Sequence, residues 1–277
     1  MPGTLYLVPT PIGNLGDISR RMADTLAAVD FIAAEDTRVT IKLLNHLGLK
    51  KPMVSYYRHN TDDSGAAVLS RLLGGEDCAL VTDAGTPAIS DPGEELVRLC
   101  AQQGVDVVSV PGPCALVTAL AASGLPTGRF TFEGFLAMNK KNRRAHLDEL
   151  RGETRTMLFY EAPHKLTATL RDLLEAFGPG RRIALCRELT KLHEEVRRTT
   201  LGEAAEWYDQ NPPKGEFVLV VEGGCPLTVD KATLEDGLLR VEQLRAEGAS
   251  LKDAARRTAA ELGLSRNELY QQAVEKK

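Results

Sequence analysis

Five short apolar runs punctuate the first 110 residues, at 5–8, 31–34, 53–57, 79–82 and 105–110. Helical periodicity fills the intervals, at 20–29, 39–47, 66–73 and 94–103. Strand and helix in turn, with small breakers between, allow few folds other than an α/β domain on a largely parallel sheet. Past 115–126 the pattern changes. Runs at 130–135, 156–160, 183–187 and 217–221 read as strands, and 143–150 and 165–177 as helices. They predict a second α/β domain with a less regular sheet. Gly223-Gly224-Cys225-Pro226 ends the last strand as a linker. Three helical stretches follow, at 234–246, 251–262 and 266–274, the last two joined around Gly263-Leu264-Ser265 like a helix-turn-helix. The expected organisation is one α/β domain at 1–117, a second at 118–224 and a helical helix-turn-helix-like tail at 232–277. Acidic and basic side chains balance in that tail, which suits an auxiliary docking module better than an independent nucleic-acid reader.

Totals exclude several classes. A chain of 277 residues, 43% hydrophobic and 26% charged, is long enough for two ordinary domains. A net charge of -4 makes it no polycation, so any nucleic-acid contact must come from local patches. Cys78, Cys100, Cys114, Cys186 and Cys225 are scattered without a Cys-x-x-Cys pair, which predicts free thiols in a reducing compartment. His193-Glu194-Glu195 lacks the second histidine of a zinc site, since position 197 is Arg, and no metal is expected. No run approaches a membrane span and no signal segment opens the chain, so the expected location is cytoplasmic.

Four polar loops rich in proline and glycine each follow a strand: Pro9-Thr10-Pro11-Ile12-Gly13-Asn14, Glu35-Asp36-Thr37-Arg38, the stretch 83–93 and Pro111-Gly112-Pro113-Cys114-Ala115. In an open parallel sheet ligands bind at the carboxyl ends of the strands, so these loops should build one site. It is no phosphate cradle. No G-x-G-x-x-G opens a helix, and proline removes the backbone N–H that phosphate needs. Asp83 suits a ligand amine, and the backbone around Gly85, Thr86 and Ile89 suits a carboxylate or ribose hydroxyls. A cofactor with an amino-acid end and a nucleoside end fits. The plainer reading of Asp36 is a helix-entry carboxylate, and that of Asp91 an N-cap. For His164 an edge-of-core role weighs as much as a catalytic one. Lys140, Lys141, Arg143 and Arg144, with Arg151, Arg155, Arg181, Arg182, Arg197 and Arg198 further on, suggest an RNA backbone track against the alternative of a solvated face.

These loops, with Phe132-Glu133-Gly134-Phe135 and Arg187-Glu188-Leu189-Thr190-Lys191, resemble the ribosomal RNA small subunit methyltransferase I family. That family shares the tetrapyrrole methylase-like, class III methyltransferase fold. The resemblance covers nearly the whole chain, tail included. It implies two α/β domains with S-adenosylmethionine folded in the cleft between them. It also implies 2'-O-methylation of a cytidine in the decoding region of 16S rRNA in the small ribosomal subunit, and a homodimer. Pro113, Ala115, Tyr160, Glu161, Leu189 and Glu216 would line the cofactor pocket beside Asp83, Gly85, Thr86 and Ile89. Tetrapyrrole methylases carry a glycine-rich turn after the first strand. Pro9 and Pro11 stand at two of its glycine places, a departure that argues against a porphyrin substrate. These prolines either touch the cofactor or shape the place where the ribose enters. A neutral 2'-hydroxyl is a poor nucleophile, so a base or a cationic neighbour is needed. The polar residues expected in the cleft are Glu35, Asp36, Arg38 and Lys191, a carboxylate acting as base and Arg38 or Lys191 fixing ribose or phosphate. The rivals are a small-molecule, tetrapyrrole-type methyltransferase of the same fold and a non-enzymatic nucleic-acid-binding protein.

Overall fold

The computed structural model describes residues 1–57, 61–224 and 233–275. Cys225 and Pro226 of the expected linker, and positions 232, 276 and 277 of the expected tail, lie outside the described residues. The chain forms two compact units, Met1–Gly223 and Gly224–Lys277.

The first unit opens with the expected parallel sheet. Strands β1 (Leu5–Leu7), β2 (Phe31–Ala34), β3 (Met53–Ser55), β4 (Cys78–Val81) and β5 (Val107–Ser109) lie in the order β3-β2-β4-β1-β5, all parallel. Strands buried on both faces read as continuous apolar runs rather than alternating ones, and β2 and β4 are buried at every position. Helices α1 (Arg20–Ala28) and α2 (Thr37–His46) cover one face with Met22, Leu26 and Leu44. Helices α3 (Thr61–Leu73) and α4 (Glu94–Gln102) cover the other with Val68, Leu72, Leu96 and Cys100. Crossovers on both faces force every β-to-α loop to the same sheet edge.

The second sheet is mixed, in the order β6-β7-β10-β8-β9. It comprises β6 (Phe130–Phe135), β7 (Thr156–Glu161), β8 (Arg182–Arg187), β9 (Glu195–Thr200) and β10 (Phe217–Val221). Only β6 and β7 are parallel. Helices α6 (Lys140–Glu149), α7 (Pro163–Phe177) and α8 (Leu201–Gln210) pack one face, and α5 (Ala115–Ser123) packs the other through Leu116, Ala119 and Leu120. Three of these elements were not expected. Strand β9 carries one apolar residue in six and lies at the sheet edge, where half-exposed, charged strands are usual. Helix α5 is apolar almost throughout, so it has no amphipathic stripe to betray its period. Helix α8 did advertise itself, through the Thr200/Glu203 capping box.

The second unit holds α9 (Leu234–Ala246), α10 (Leu251–Leu262) and α11 (Arg266–Glu275). Val241, Leu244, Ala254, Ala255 and Leu269 form its own core. Gly263 adopts the left-handed conformation that ends α10 and turns the chain into α11, as the helix-turn-helix pattern predicts. Gly237 of α9 is a close approach: a Cβ there would lie 2.5 Å from Leu264 Cδ1 and 2.6 Å from Leu269 Cδ2.

Phe159 sits fully buried on β7, next to the central strand of the second sheet. Phe159→Ala is expected to lower unfolding free energy by about 3–5 kcal/mol in urea titrations. Thr200→Ala, which removes only the α8 cap, should cost about 1 kcal/mol by the same measurement.

Candidate functional site

Pro9 and Pro11 leave Thr10 as the only N–H donor of the three residues that follow Val8. That donor is committed. Thr10 N–H donates to Gly85 O at 2.9 Å, and Gly85 N–H donates to Thr10 O at 3.0 Å. The Thr10 hydroxyl donates to Thr82 O at 3.1 Å. Gly85 has φ +88°, which a side chain would resist. The other loops join the same clasp. Thr86 Oγ1 donates to Pro113 O at 2.9 Å, and Gly112 lies so close to Pro9 that a Cβ would meet its ring carbon at 2.9 Å. The expected convergence of loops on one edge is thus made by named bonds.

A cavity of about 420 Å³ opens there, walled by the loops of the first sheet on one side and by the second sheet on the other. Of the expected pocket residues, Asp83, Gly85, Thr86, Ile89, Ala115, Tyr160, Glu161, Leu189 and Glu216 all line it. Glu35 and Lys191 do so as well. Pro9, Pro11 and Pro113 stand outside the lining. Pro9 is buried beneath the wall against Gly112, Pro113 lends its carbonyl to Thr86, and Ile12 is the residue of the first loop that reaches the cavity. Pro9 and Pro113 therefore shape the wall without forming its surface.

Asp36 and Arg38 are likewise outside the lining. Arg38 grips Asp36 through Nε at 3.0 Å and Nη2 at 2.7 Å, and Arg38 N–H donates to the same carboxylate at 2.8 Å. The Arg38 guanidinium holds the Asp36 carboxyl down at about 2. Asp36 is the N-cap of α2, the plainer of its two readings. Glu35 is differently placed. Its Oε2 accepts from Thr82 Oγ1 at 2.5 Å and from Asp83 N–H at 3.3 Å, and Oε1 has no hydrogen bond among the described residues. Asp83 Oδ1 accepts from Asp36 N–H at 3.1 Å. Burial, and then the neighbouring Glu35 charge, raise the Asp83 pKa.

Across the cavity Lys191 Nζ donates to Glu188 Oε1 at 2.9 Å and Glu216 Oε2 at 2.8 Å. Burial opposes the Lys191 charge, but the bonds to Glu216 and Glu188 outweigh it and the pKa is raised. Glu188 is held below the usual carboxylate range by Glu216 N–H first and Lys191 second. The Lys191 stem lies across Gly13 of the first loop, where a Cβ would meet Lys191 Cγ at 2.4 Å. Sequence reasoning named neither Glu188 nor Phe135 as a site residue, and both line the cavity. Backbone strain would have marked Glu188. Among the described residues the non-glycine positions with positive φ are Ala88, Ser90, Glu188 and Thr190, all in two loops of this site.

The basic track is thinner than its composition suggests. Lys140 and Lys141 are exposed on the first turn of α6, and Arg144 is exposed but pairs with Glu175 at 3.3 Å. Arg143 turns inward to Asp172 at 2.6 Å, its side chain only 15% exposed, because it shares the core-facing side of α6 with Leu147, four residues on. Its guanidinium is thus turned away from the exposed face that Lys140, Lys141 and Arg144 occupy. Arg151, Arg155, Arg182 and Arg197 pair with Asp148, Glu153, Glu222 and Glu195, Arg181 lies over the Phe177 ring, and Arg198 binds the carbonyls ending α5. Glu161 lines the cavity, but its carboxylate accepts from Thr169 Oγ1 and Ala162 N–H at the start of α7. His164 is exposed on α7.

Residues 4–205 match the Tetrapyrrole (Corrin/Porphyrin) Methylases, and residues 232–277 match the RsmI C-terminal HTH domain. Among solved structures, the chain resembles a cobalt precorrin-4 methyltransferase at TM-score 0.57 and 18% identity, covering 78% of this chain and 94% of that one. It also resembles the uroporphyrin-III C-methyltransferase of Thermus thermophilus complexed with S-adenosyl homocysteine, at TM-score 0.55 and 19% identity, covering 79% and 97%. Those likenesses establish the fold. Sequence relatives go further. The ribosomal RNA small subunit methyltransferase I of Synechocystis is 47% identical over 99% of this chain and 98% of its own length. Its counterpart from Pseudomonas aeruginosa is 46% identical, again over 99% and 98%. With such identity end to end, and both parts of the chain matched, the chain belongs to the ribosomal RNA small subunit methyltransferase I family.

Proposed function

We propose that the chain uses S-adenosylmethionine to methylate the ribose 2'-hydroxyl of a cytidine in the decoding region of 16S rRNA. We place it in the cytoplasm, as a homodimer acting on rRNA or the small ribosomal subunit. The observation that carries this reading is the pairing, around one cavity, of Glu35 and Asp83 from the first sheet with Lys191, Glu188 and Glu216 from the second. The family membership of the chain supports the substrate.

The cavity fits the cofactor. Its volume of about 420 Å³ falls in the range of roughly 300–1,000 Å³ usual for small-molecule sites. Asp83 would take the ammonium, the Gly85–Ile89 backbone the carboxylate, and the apolar wall at Ala115, Tyr160 and Leu189 the nucleoside. When bound, the cofactor supplies a methyl group on a positively charged sulfur. The remaining work belongs to the chain. Glu35 Oε1 receives the proton of the ribose hydroxyl, while Thr82 and the Asp83 amide hold Oε2 and fix the carboxylate. Lys191 stays a cation, so it serves as an anchor for ribose or phosphate and not as the base. Asp36 and Arg38 neutralise each other and support α2.

Labelled methyl transfer to small subunits from cells lacking this protein, followed by mapping of the modified nucleotide, tests the function. No incorporation, or label on a base rather than a 2'-oxygen, overturns it. In that assay Glu35→Gln should lower turnover by about a hundredfold or more with cofactor affinity retained, whereas Asp36→Asn should stay near wild type.

Asp83 gives a pH signature. Only the ionised carboxylate pairs with an ammonium, and its pKa is raised, so cofactor affinity should fall with acidification at a higher pH than an ordinary aspartate would set. Asp83→Asn should weaken binding at neutral pH and abolish that acid limb in calorimetric titrations. Gly13→Ala should displace Lys191 and lower transfer about tenfold. In a Lys191→Ala background the same change should add little, a coupling that a double-mutant cycle reads directly.

A further inference from the structure

Strand β6 ends on an irregularity in Phe132-Glu133-Gly134-Phe135. Phe132 stands opposite Leu158 of β7, but the register then shifts, so that Gly134 faces Phe159 and Phe135 faces Tyr160. Opposed residues share a face of the sheet. Without the extra residue Phe135 would stand opposite Glu161, on the other face of the sheet from Phe132 and Tyr160, since a one-residue slip exchanges the faces of a strand. Gly134, at φ +64°, makes the turn. Glu133, the residue passed over in the register, is bound through its carboxylate to His146 Nε2 of α6 at 2.9 Å.

The slip brings Phe135 onto the face of Phe132 and Tyr160. Both phenylalanine rings meet Tyr160 edge-on, Phe132 at 4.9 Å and Phe135 at 5.6 Å between centroids. Phe135 lines the cavity and yet remains 56% exposed. A lone exposed phenylalanine is ordinary. Here one is turned by a bulge, braced by a half-buried ring and set at the edge of the proposed active site. A flat apolar face in that place suits a flat ligand.

We propose that the open face of Phe135 is the stacking platform for the unpaired nucleobase of the target nucleotide, holding the base while its sugar enters the cavity. This rests on the RNA methyltransferase reading above. Aromatic stacking is the general means by which proteins hold splayed-out bases. Charge around the platform fits the same ligand. Lys140 follows Phe135 by five residues and so lies within about 18 Å of it. Lys140 and Lys141 are exposed on the helix that His146 and Glu133 tie to the bulge, which places a phosphate track beside the base platform.

The test compares wild type, Phe135→Leu and Phe135→Trp in labelled methyl transfer to small subunits from cells lacking this protein, with S-adenosylhomocysteine binding measured by calorimetry. Leucine keeps apolar bulk without a ring face. Phe135→Leu should lower kcat/KM for subunits about ten- to hundredfold, chiefly through KM, whereas Phe135→Trp should stay within about threefold of wild type. S-adenosylhomocysteine affinity should hold within about threefold in both variants, and the melting temperature should shift by no more than about 3 °C, as for an exposed-site change. Wild-type kcat/KM in Phe135→Leu, with an active wild-type enzyme, overturns the platform and leaves the rRNA reading standing. A tenfold loss of S-adenosylhomocysteine binding in Phe135→Leu also overturns it, since the occupant is then the cofactor's adenine. Failure of wild type to label subunits removes the rRNA reading and the platform together.

Discussion

The two-bond clasp between Thr10 and Gly85 is the constraint on which the site depends. It joins the loop after β1 to the loop after β4, strands that are neighbours in the sheet. Each loop alone is a short, polar connection of the kind that moves freely on a surface. Once clasped, they carry the rest with them: Thr10 Oγ1 fixes Thr82 O, Thr82 Oγ1 fixes Glu35, and Thr86 fixes Pro113. The prolines on either side of Thr10 make the clasp unambiguous. With no N–H of their own they offer neither a competing donor to Gly85 nor a nest for phosphate. A loop that resembles a failed phosphate cradle is thus one whose single N–H among its first three residues is reserved for structure.

From that frame the electrostatics divide. Asp36 and Asp83 both sit in loops at the same sheet edge and are joined by a hydrogen bond, yet their acidities move in opposite directions. Asp36 has a guanidinium against it, which stabilises its charge. Asp83 stands exposed in the cavity lining, where partial desolvation and then the Glu35 carboxylate raise its pKa against the Arg38 charge. Paired carboxylates pushed apart in this way are the usual mark of a site in which only one of them meets the ligand. On the opposite wall the order is reversed, since Lys191 already has two carboxylate partners. The cavity therefore presents unmet negative charge on the side of the first sheet and a satisfied ionic cluster on the other.

Much of this could be read from the residues because their signals are local. Continuous apolar runs such as 31–34 and 217–221 become strands buried on both faces, and proline and glycine mark the loops at their carboxyl ends. What escaped was set by partners distant in sequence. Strand β9 exists because β8 offers it a ladder, and its own residues Glu195-Val196-Arg197-Arg198 carry no alternation. Arg143 looked like its neighbours Lys141 and Arg144 until the helix phase turned it toward Asp172. Pro9 was read as a cofactor contact or a shaper of the entrance, and only its packing on Gly112, outside the cavity lining, shows that it backs the wall. Glu188 was visible inside Arg187-Glu188-Leu189-Thr190-Lys191, and nothing in its type foretells a left-handed φ of +51°.

The shared fold with porphyrin and corrin methyltransferases then has a physical limit as a guide to substrate. A parallel sheet with loops at its carboxyl edge fixes where a cofactor can lie, and the chain keeps that arrangement at 18–19% identity to those structures. The acceptor is chosen by what borders the cavity. Here the border holds a stiffened loop after β1, a lysine stem that requires glycine at position 13 and a bulge that turns Phe135 toward the opening. None of the three is needed to form either sheet core. Features that the fold does not require, gathered at one opening, can differ with the acceptor while both sheet cores stay the same, and in this chain they combine a rigid loop, a cation and an aromatic face.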